Sequence, residues 1–189
     1  MKVFKALVRD NSLDRKSNRI SEYNYSQDGF YFVTVCTQNR VNYFGEISDE
    51  KMILNECGKV IKDRWLWLQE QYSYIKLDYF VVMPNHFHGI LIIDRSLNVG
   101  EDRDLPISNK AGTCHDMSLQ PKIKSLSQLV GAFKTTASKQ IHFLGVENFQ
   151  WQRSFYDHVI RDERSLQNIR EYIINNPAKW QLDKYFNDV

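Results

Sequence analysis

Apolar stretches of strand character recur along the chain and define the sheet that the sequence predicts. The segments at 30–37, 74–83 and 86–93 are rich in β-branched and aromatic residues, as β-strands are. The second and third are separated only by Pro84 and Asn85, which predicts two neighbouring strands joined by a tight turn. A fourth extended segment is predicted at 150–160.

Apolar residues spaced three and four positions apart predict three amphipathic helices. These helices cover 49–71, 125–143 and 162–176. We expect Ser48 or Asp49 to cap the first helix and Asp162 to cap the third, because short polar side chains bind the free N–H groups of a first turn. The third helix must end by Asn176, since Pro177 disfavours helical geometry in the residue before it.

The order strand, helix, strand, strand, helix, strand, helix predicts an α+β fold, with a ferredoxin-like antiparallel sheet and helices packed mainly on one face. We divide the chain into a polar N-terminal arm at 1–28, a domain at 29–180 and a C-terminal tail at 181–189. Within the domain, 94–124 is predicted to be a long polar loop.

Length, charge and cysteine content exclude some classes of protein but do not indicate a function. The 189 residues suit one domain, and the formal charge of +2 permits a nucleic-acid partner without indicating one. Three cysteines without ligand-like spacing argue against a disulfide framework. No run of about 18 apolar residues and no signal-peptide core occurs, so we expect a cytoplasmic protein without a membrane partner.

Two histidines at the start of a predicted strand are the strongest chemical feature. His86 and His88 are two residues apart, so in a strand their side chains share one face while Phe87 enters the opposite layer. Paired imidazoles in an apolar frame favour a metal site over structural packing, because unsatisfied ring nitrogens there are costly. The spacing leaves the identity of the metal open.

A tyrosine on the third predicted helix is a second candidate. Tyr172 and Asn176 are four residues apart and therefore lie on the same side of the helix. Taken alone, this pattern favours a tyrosine at the rim of the core and an asparagine that ends the helix.

Three motifs in this order together resemble a known family. The segments at 83–88, 151–161 and 172–177 are similar to motifs of the REP-associated tyrosine transposases, relatives of single-tyrosine transposases that move insertion sequences as single strands. The resemblance covers about residues 28–180. It implies a nuclease fold with a histidine-hydrophobe-histidine motif and a tyrosine nucleophile on a late helix.

The resemblance also implies roles for individual residues. His86 and His88 would bind a divalent metal, Mg²⁺ or Mn²⁺, Asn176 would be the third ligand, and Tyr172 would be the nucleophile. The mobile relatives have glutamine where this chain has Asn176. The implied activity is cleavage of hairpin-flanked single-stranded DNA through a 5′-phosphotyrosine, by a monomer or a homodimer.

Two other functions remain open from the residues themselves. A metal-dependent hydrolase would activate water on a cation held by both histidines and His158. A DNA-binding protein without catalysis would instead hold a folded single strand.

Further candidate residues lie in the second half of the chain. Tyr156 is the next candidate nucleophile after Tyr172. The residues predicted to contact DNA are Lys134, Trp151, Arg153, His158 and Arg161.

Overall fold

A computed structural model describes residues 23–98, 123–183 and 185–186. The strands within these ranges are β1 (Gly29–Cys36), β2 (Gly45–Ser48), β3 (Lys51–Leu54), β4 (Ile75–Met83), β5 (His86–Ile93) and β6 (Tyr156–Ile160). The α-helices within them are α1 (Glu56–Gln71), α2 (Leu126–Phe143) and α3 (Glu163–Asn175). Most of the predicted N-terminal arm and of the predicted loop at 94–124 lies outside the described residues.

An antiparallel sheet with the strand order β4-β5-β1-β6 forms the centre of the molecule. Strand β1 is a central strand, and its Thr34 pairs with His88 of β5 on one side and with Tyr156 of β6 on the other. The predicted α+β class with an antiparallel sheet is confirmed.

The two faces of the sheet carry separate hydrophobic cores. Alternate residues of β1, such as Tyr31 and Val33, face the larger core, which buries Trp65 of α1 and Phe133 of α2. Phe32 faces the other way, into a smaller core that α3 completes. Helices α1 and α2 therefore share one face, and α3 packs on the other.

The boundary predicted for the first helix is wrong. A β-hairpin formed by β2 and β3 occupies 45–54, and Asp49 and Glu50 form its turn with φ of 48° and 60°. Helix α1 begins later, where the Asn55 side chain accepts a hydrogen bond of 3.0 Å from the Gly58 N–H. Residues 49–54, predicted to be the first turns of the helix, therefore form the hairpin turn and strand β3, and neither Ser48 nor Asp49 caps a helix.

The remaining elements lie close to their predicted positions. Ser125 and Gln128 form a reciprocal capping box at the start of α2, and the Asp162 side chain caps α3 as predicted. Only Tyr156–Ile160 of the predicted segment 150–160 is a strand, while Trp151 forms an isolated bridge with Thr37. Within the described ranges, each helix is too short or too polar to cross a bilayer.

The cap of α1 gives a stability prediction. Replacing Asn55 with Ala should lower the free energy of unfolding by about 1 kcal/mol, because the Gly58 N–H loses its acceptor. Urea denaturation monitored by circular dichroism measures the change. The matched control is Ser48→Ala, which we expect to change stability by less than about 0.5 kcal/mol, since Ser48 is exposed in β2. If Ser48→Ala lowered the stability more than Asn55→Ala, the helix would instead begin at the earlier position predicted from the sequence.

Candidate active site

The turn between β4 and β5 fixes both histidines at the edge of the smaller core. Pro84 and Asn85 form the turn, and β5 begins at His86. His86 and His88 are 0% and 1% exposed, and their ring centroids are 4.6 Å apart. Phe87 packs into the larger core on the other face, as the strand alternation predicts.

The Asn85 side chain orients His86. Its Nδ2 donates to the carbonyl oxygens of Arg40 (3.1 Å) and Tyr185 (2.9 Å), which fixes the orientation of the amide. Asn85 Oδ1 therefore faces His86 Nδ1 at 2.9 Å and can only accept a hydrogen bond. His86 Nδ1 must carry the proton, so the lone pair of the neutral ring is on Nε2.

His88 lies between a threonine and the predicted nucleophile. Its Nδ1 is 2.8 Å from Thr34 Oγ1, and its Nε2 is 3.1 Å from the Tyr172 hydroxyl. When Tyr172 donates to Nε2, Nδ1 carries the proton and donates to Thr34. A cation on Nε2 would need the same tautomer, and it would displace the tyrosine hydrogen bond because both use one lone pair.

A carboxylate completes the cluster of potential ligands. His86, His88 and Asp183 each offer a ligand atom, and these atoms all lie within 4.8 Å of one another. Asp183 belongs to the segment that the sequence analysis assigned to a C-terminal tail. Its only sequence signal is a position shortly after the third helix, which is too weak to single out a ligand.

The predicted third ligand lies beside this cluster. Asn176 is 3% exposed, and its Nδ2 donates to Asp183 Oδ2 at 3.4 Å. Asn176 Oδ1 is buried and accepts no hydrogen bond within the described part of the chain. A buried acceptor of this kind is costly unless a cation or donor reaches it. Two imidazoles, a carboxylate and an amide oxygen fit Mn²⁺ well, and Mg²⁺ less well.

The surroundings of Tyr172 favour its protonated form. Partial burial and the negative charge of Asp183 raise the pKa of Tyr172 to about 12, while the hydrogen bond from Asn176 acts in the opposite direction. The phenol is therefore a weak nucleophile at neutral pH unless positive charge is added nearby.

Another tyrosine, which the sequence analysis did not select, also lies against the histidines. The ring centroid of Tyr185 is 4.6 Å from that of His86, and the Arg40 guanidinium lies 5.4 Å from the Tyr185 centroid. Partial burial raises the pKa of Tyr185 to about 12. Its carbonyl accepts from Asn85, so this residue helps to bring Asp183 to the site.

An ion pair fixes α3 against the sheet. Arg170 Nε and Nη2 both donate to Asp78 Oδ2, at 2.9 and 2.7 Å, and the guanidinium lies 5.6 Å from the Tyr79 ring centroid. Both charged side chains are partly buried. Because Arg170 is two residues before Tyr172 on α3, the Asp78–Arg170 ion pair helps to fix the distance between Tyr172 and β5.

Two of the residues predicted to contact DNA, Lys134 and Trp151, make hydrogen bonds within the protein. Lys134 Nζ donates to the carbonyl oxygens of Gln152 (2.7 Å) and Arg153 (3.2 Å), and burial lowers its pKa. Trp151 Nε1 donates to the Lys134 carbonyl oxygen at 3.2 Å. These bonds join α2 to the segment before β6, and the proposed DNA contacts of both residues stay predictions.

The other predicted residues lie outside the ligand cluster. Arg153, His158 and Arg161 are exposed. Strand pairing places His158 opposite Phe32, and the cluster found among the described residues does not contain it. Tyr156 is 40% exposed on β6, close to the 41% of Tyr172.

Comparisons with known proteins place the chain in a family. An uncharacterized protein of Haemophilus influenzae is 37% identical over 175 residues, which cover 92% of this chain and 94% of that protein. A solved structure of a REP-associated tyrosine transposase bound to a REP hairpin matches with a TM-score of 0.54 and 20% identity, over 87% of this chain and 77% of that chain. No family model matches. The chain therefore belongs to the same family as the Haemophilus influenzae protein, and it shares the fold of the REP-associated tyrosine transposase.

Proposed function

We propose that this protein is a metal-dependent, single-strand DNA endonuclease and strand transferase of the tyrosine transposase type. The observation that carries the proposal is the 3.1 Å separation of the Tyr172 hydroxyl and His88 Nε2, within a site that also holds His86 and Asp183. A phenol next to a potential cation site is a combination that suits covalent phosphoryl transfer, because the cation can stabilise the charge that develops when the phenol attacks.

The fold supports the choice of substrate. The solved structure that shares this fold belongs to a transposase bound to a REP hairpin. We infer that this chain likewise acts on single-stranded DNA beside a hairpin. The exposed Arg153 and Arg161, near the two ends of β6, are available for phosphate contacts.

A divalent cation at this site, Mg²⁺ or Mn²⁺, would be held by His86, His88 and Asp183, with Asn176 Oδ1 as a further ligand. When bound, it would withdraw electron density from the phosphoryl oxygens and offset the negative charge of Asp183 near Tyr172. Asn85 fixes the tautomer of His86 that presents Nε2 to the site, and Thr34 Oγ1, 2.8 Å from His88 Nδ1, can accept the hydrogen bond of the corresponding His88 tautomer.

Tyr172 then performs the covalent step. Its hydroxyl oxygen forms a bond to phosphorus as the bond between phosphorus and the 3′ oxygen breaks. The products are a 5′-phosphotyrosine and a free 3′-hydroxyl, which takes up the equivalent of the proton that the phenol loses. Another 3′-hydroxyl can attack the phosphotyrosine in the reverse reaction and join new DNA ends.

Covalent adduct formation tests the nucleophile. Full-length protein incubated with Mn²⁺ and a labelled DNA hairpin carrying a single-stranded flank should give a protein–DNA adduct on denaturing gels, and Tyr172→Phe should give none. Tyr156→Phe is the matched control, because Tyr156, on β6, has nearly the same exposure as Tyr172. Adduct formation by Tyr172→Phe would exclude our nucleophile, and cleavage without any adduct would favour the water-activating hydrolase.

Metal binding tests the ligand set independently of DNA. In Mn²⁺ titrations followed by electron paramagnetic resonance, we expect His86→Ala and Asp183→Asn each to weaken binding about tenfold or more. The control Asp63→Asn removes an exposed carboxylate on α1 and should leave the affinity unchanged. If Asp183→Asn bound Mn²⁺ with the affinity of the wild type, Asp183 would not be a ligand, and Asn176 would be the remaining candidate for the third ligand.

The protonation of Tyr172 in the metal-free protein gives a third test. Ultraviolet difference titration of wild type against Tyr172→Phe should show a pKa of about 12 for this phenol. Removal of the Asp183 charge in Asp183→Asn should lower that pKa towards 10, because phenolate would no longer face a carboxylate. Asp63→Asn should leave it unchanged. An unshifted pKa in Asp183→Asn would mean that burial alone sets it.

A further inference from the structure

A bulge in strand β4 lies against helix α3. The register of β4 against β5 shifts by one residue between Leu77 and Phe80, so Asp78 and Tyr79 share one partner position in β5. In a regular strand the side chains of two successive residues point to opposite faces. Here both side chains contact Arg170 of α3. The bulge thus presents two neighbouring side chains to one residue of the helix.

The bulge also fixes the carboxylate of Asp78. The Tyr79 N–H donates to Asp78 Oδ1 at 2.9 Å, while Arg170 Nε and Nη2 donate to Oδ2 at 2.9 and 2.7 Å. Both oxygens are therefore occupied, and the carboxylate has one orientation. The guanidinium is held in turn by its planar fork of donors and by the Tyr79 ring, whose centroid is 5.6 Å away.

Arg170 and Tyr172 lie on opposite flanks of α3. Leu166 and Ile173 form the buried stripe between the two flanks. At about 100° per residue, Arg170 lies about 50° to one side of this stripe and Tyr172 about 110° to the other. Arg170 reaches β4, whereas the Tyr172 hydroxyl lies 3.1 Å from His88 Nε2 of β5. A rotation of α3 about its own axis would therefore move the tyrosine relative to the histidines.

The rotation of α3 is fixed more sharply by the ion pair than by packing. The smaller core holds the helix through apolar contacts, which have no preferred direction, while hydrogen bonds are directional. A rotation of about 20° moves an atom about 6 Å from the helix axis by about 2 Å. A misplacement of about 1 Å can slow a reaction about 100-fold.

We infer, on the basis of the function proposed above, that Asp78 and Arg170 are positioning residues for the covalent step. The bulge in β4 fixes their ion pair, the ion pair sets the rotation of α3, and the rotation places the Tyr172 hydroxyl for attack on the phosphate. Neither residue contacts the DNA or the cation. Their effect is on the rate of adduct formation and not on the affinity for either.

Single-turnover adduct formation, with saturating Mn²⁺ and a saturating labelled DNA hairpin that carries a single-stranded flank, tests the rate. Arg170→Lys keeps the charge but loses the planar fork, and Asp78→Asn has one acceptor oxygen where the carboxylate uses two. Each should slow adduct formation about tenfold or more, with unchanged affinities for DNA and Mn²⁺. The double variant should be no slower than the slower single variant, because both changes break the same contact.

The matched control breaks an ion pair of the same type elsewhere. Arg95 Nε and Nη2 donate to Asp28 Oδ1 and Oδ2, at 2.8 and 3.4 Å. This pair lies at the ends of β1 and β5 that are remote from the histidines. Arg95→Lys should therefore form the adduct at the rate of the wild type. Circular dichroism checks the folding of every variant, and testing both partners of the pair protects the test against one misfolded variant.

Proton NMR of the protein without metal or DNA tests the geometry. The ring centroids of Tyr172 and His88 are 5.1 Å apart, so the wild type should show a nuclear Overhauser effect between the two rings. Arg170→Lys and Asp78→Asn should lose this signal, while Ile173 keeps its signals to the other residues of the smaller core. Arg95→Lys should keep both. A weakened attachment of the whole helix would instead remove both sets.

Each contrary outcome overturns the inference for a different reason. Wild-type rates in both variants would mean that the ion pair does not position the nucleophile. A parallel loss of DNA affinity would make Arg170 a DNA contact, and equal slowing in Arg95→Lys would mean general destabilisation. If the wild type forms no adduct, the proposed function fails. The NMR comparison is independent of that result, and a retained Tyr172–His88 signal in both variants would refute the positioning role by itself.

Discussion

The side chain of Asn85 is the contact on which the site depends. This amide is fully buried; both hydrogens of its Nδ2 are donated, to the carbonyl oxygens of Arg40 and Tyr185, and its Oδ1 accepts from His86. One residue thereby joins the turn that carries the histidines, the loop after β1 and the segment that brings Asp183 to the site. Each unmade bond would leave a buried polar group unsatisfied, so the three segments are held as a unit.

The division of the sheet into two unequal cores explains how the tyrosine reaches the histidines. The larger core, under α1 and α2, provides most of the buried apolar surface and fixes β1 and β5. The smaller core contains few residues, so α3 needs the Asp78–Arg170 ion pair as well as packing. A helix fixed mainly by one ion pair and a few apolar contacts is positioned more weakly than the strand it faces.

In the proposed mechanism, a cation and the phenol of Tyr172 act in the same site, and the charges around Tyr172 are consistent with that arrangement. Without added positive charge, burial and Asp183 hold the phenol protonated, and its hydroxyl oxygen lies 3.1 Å from His88 Nε2. The same carboxylate that opposes phenolate is a natural ligand for a divalent cation. Asp183 therefore favours the inactive protonation state in the metal-free protein and cation binding in the proposed active one.

Local patterns in the sequence determined most of the elements and the pairing of the histidines. The strands of the main sheet, the cap at Asp162 and the shared face of His86 and His88 depend on residues only a few positions apart. Periodicity and capping express such local preferences directly. The segment at 45–54 was misassigned because a short hairpin with mixed polarity has a weaker pattern than the helix that follows it.

Only the tertiary structure decided what surrounds the histidines. Asn85 and Tyr185 are 100 residues apart, and Tyr172 and His88 are 84 apart, so no local pattern reports either contact. A motif resemblance suggested the second pair, but nothing in the sequence distinguished Asp183 from the other carboxylates of the chain. Which of them meets the imidazoles depends on how the chain after α3 folds back over β5, and that path is set by long-range packing and by the hydrogen bonds of one buried amide.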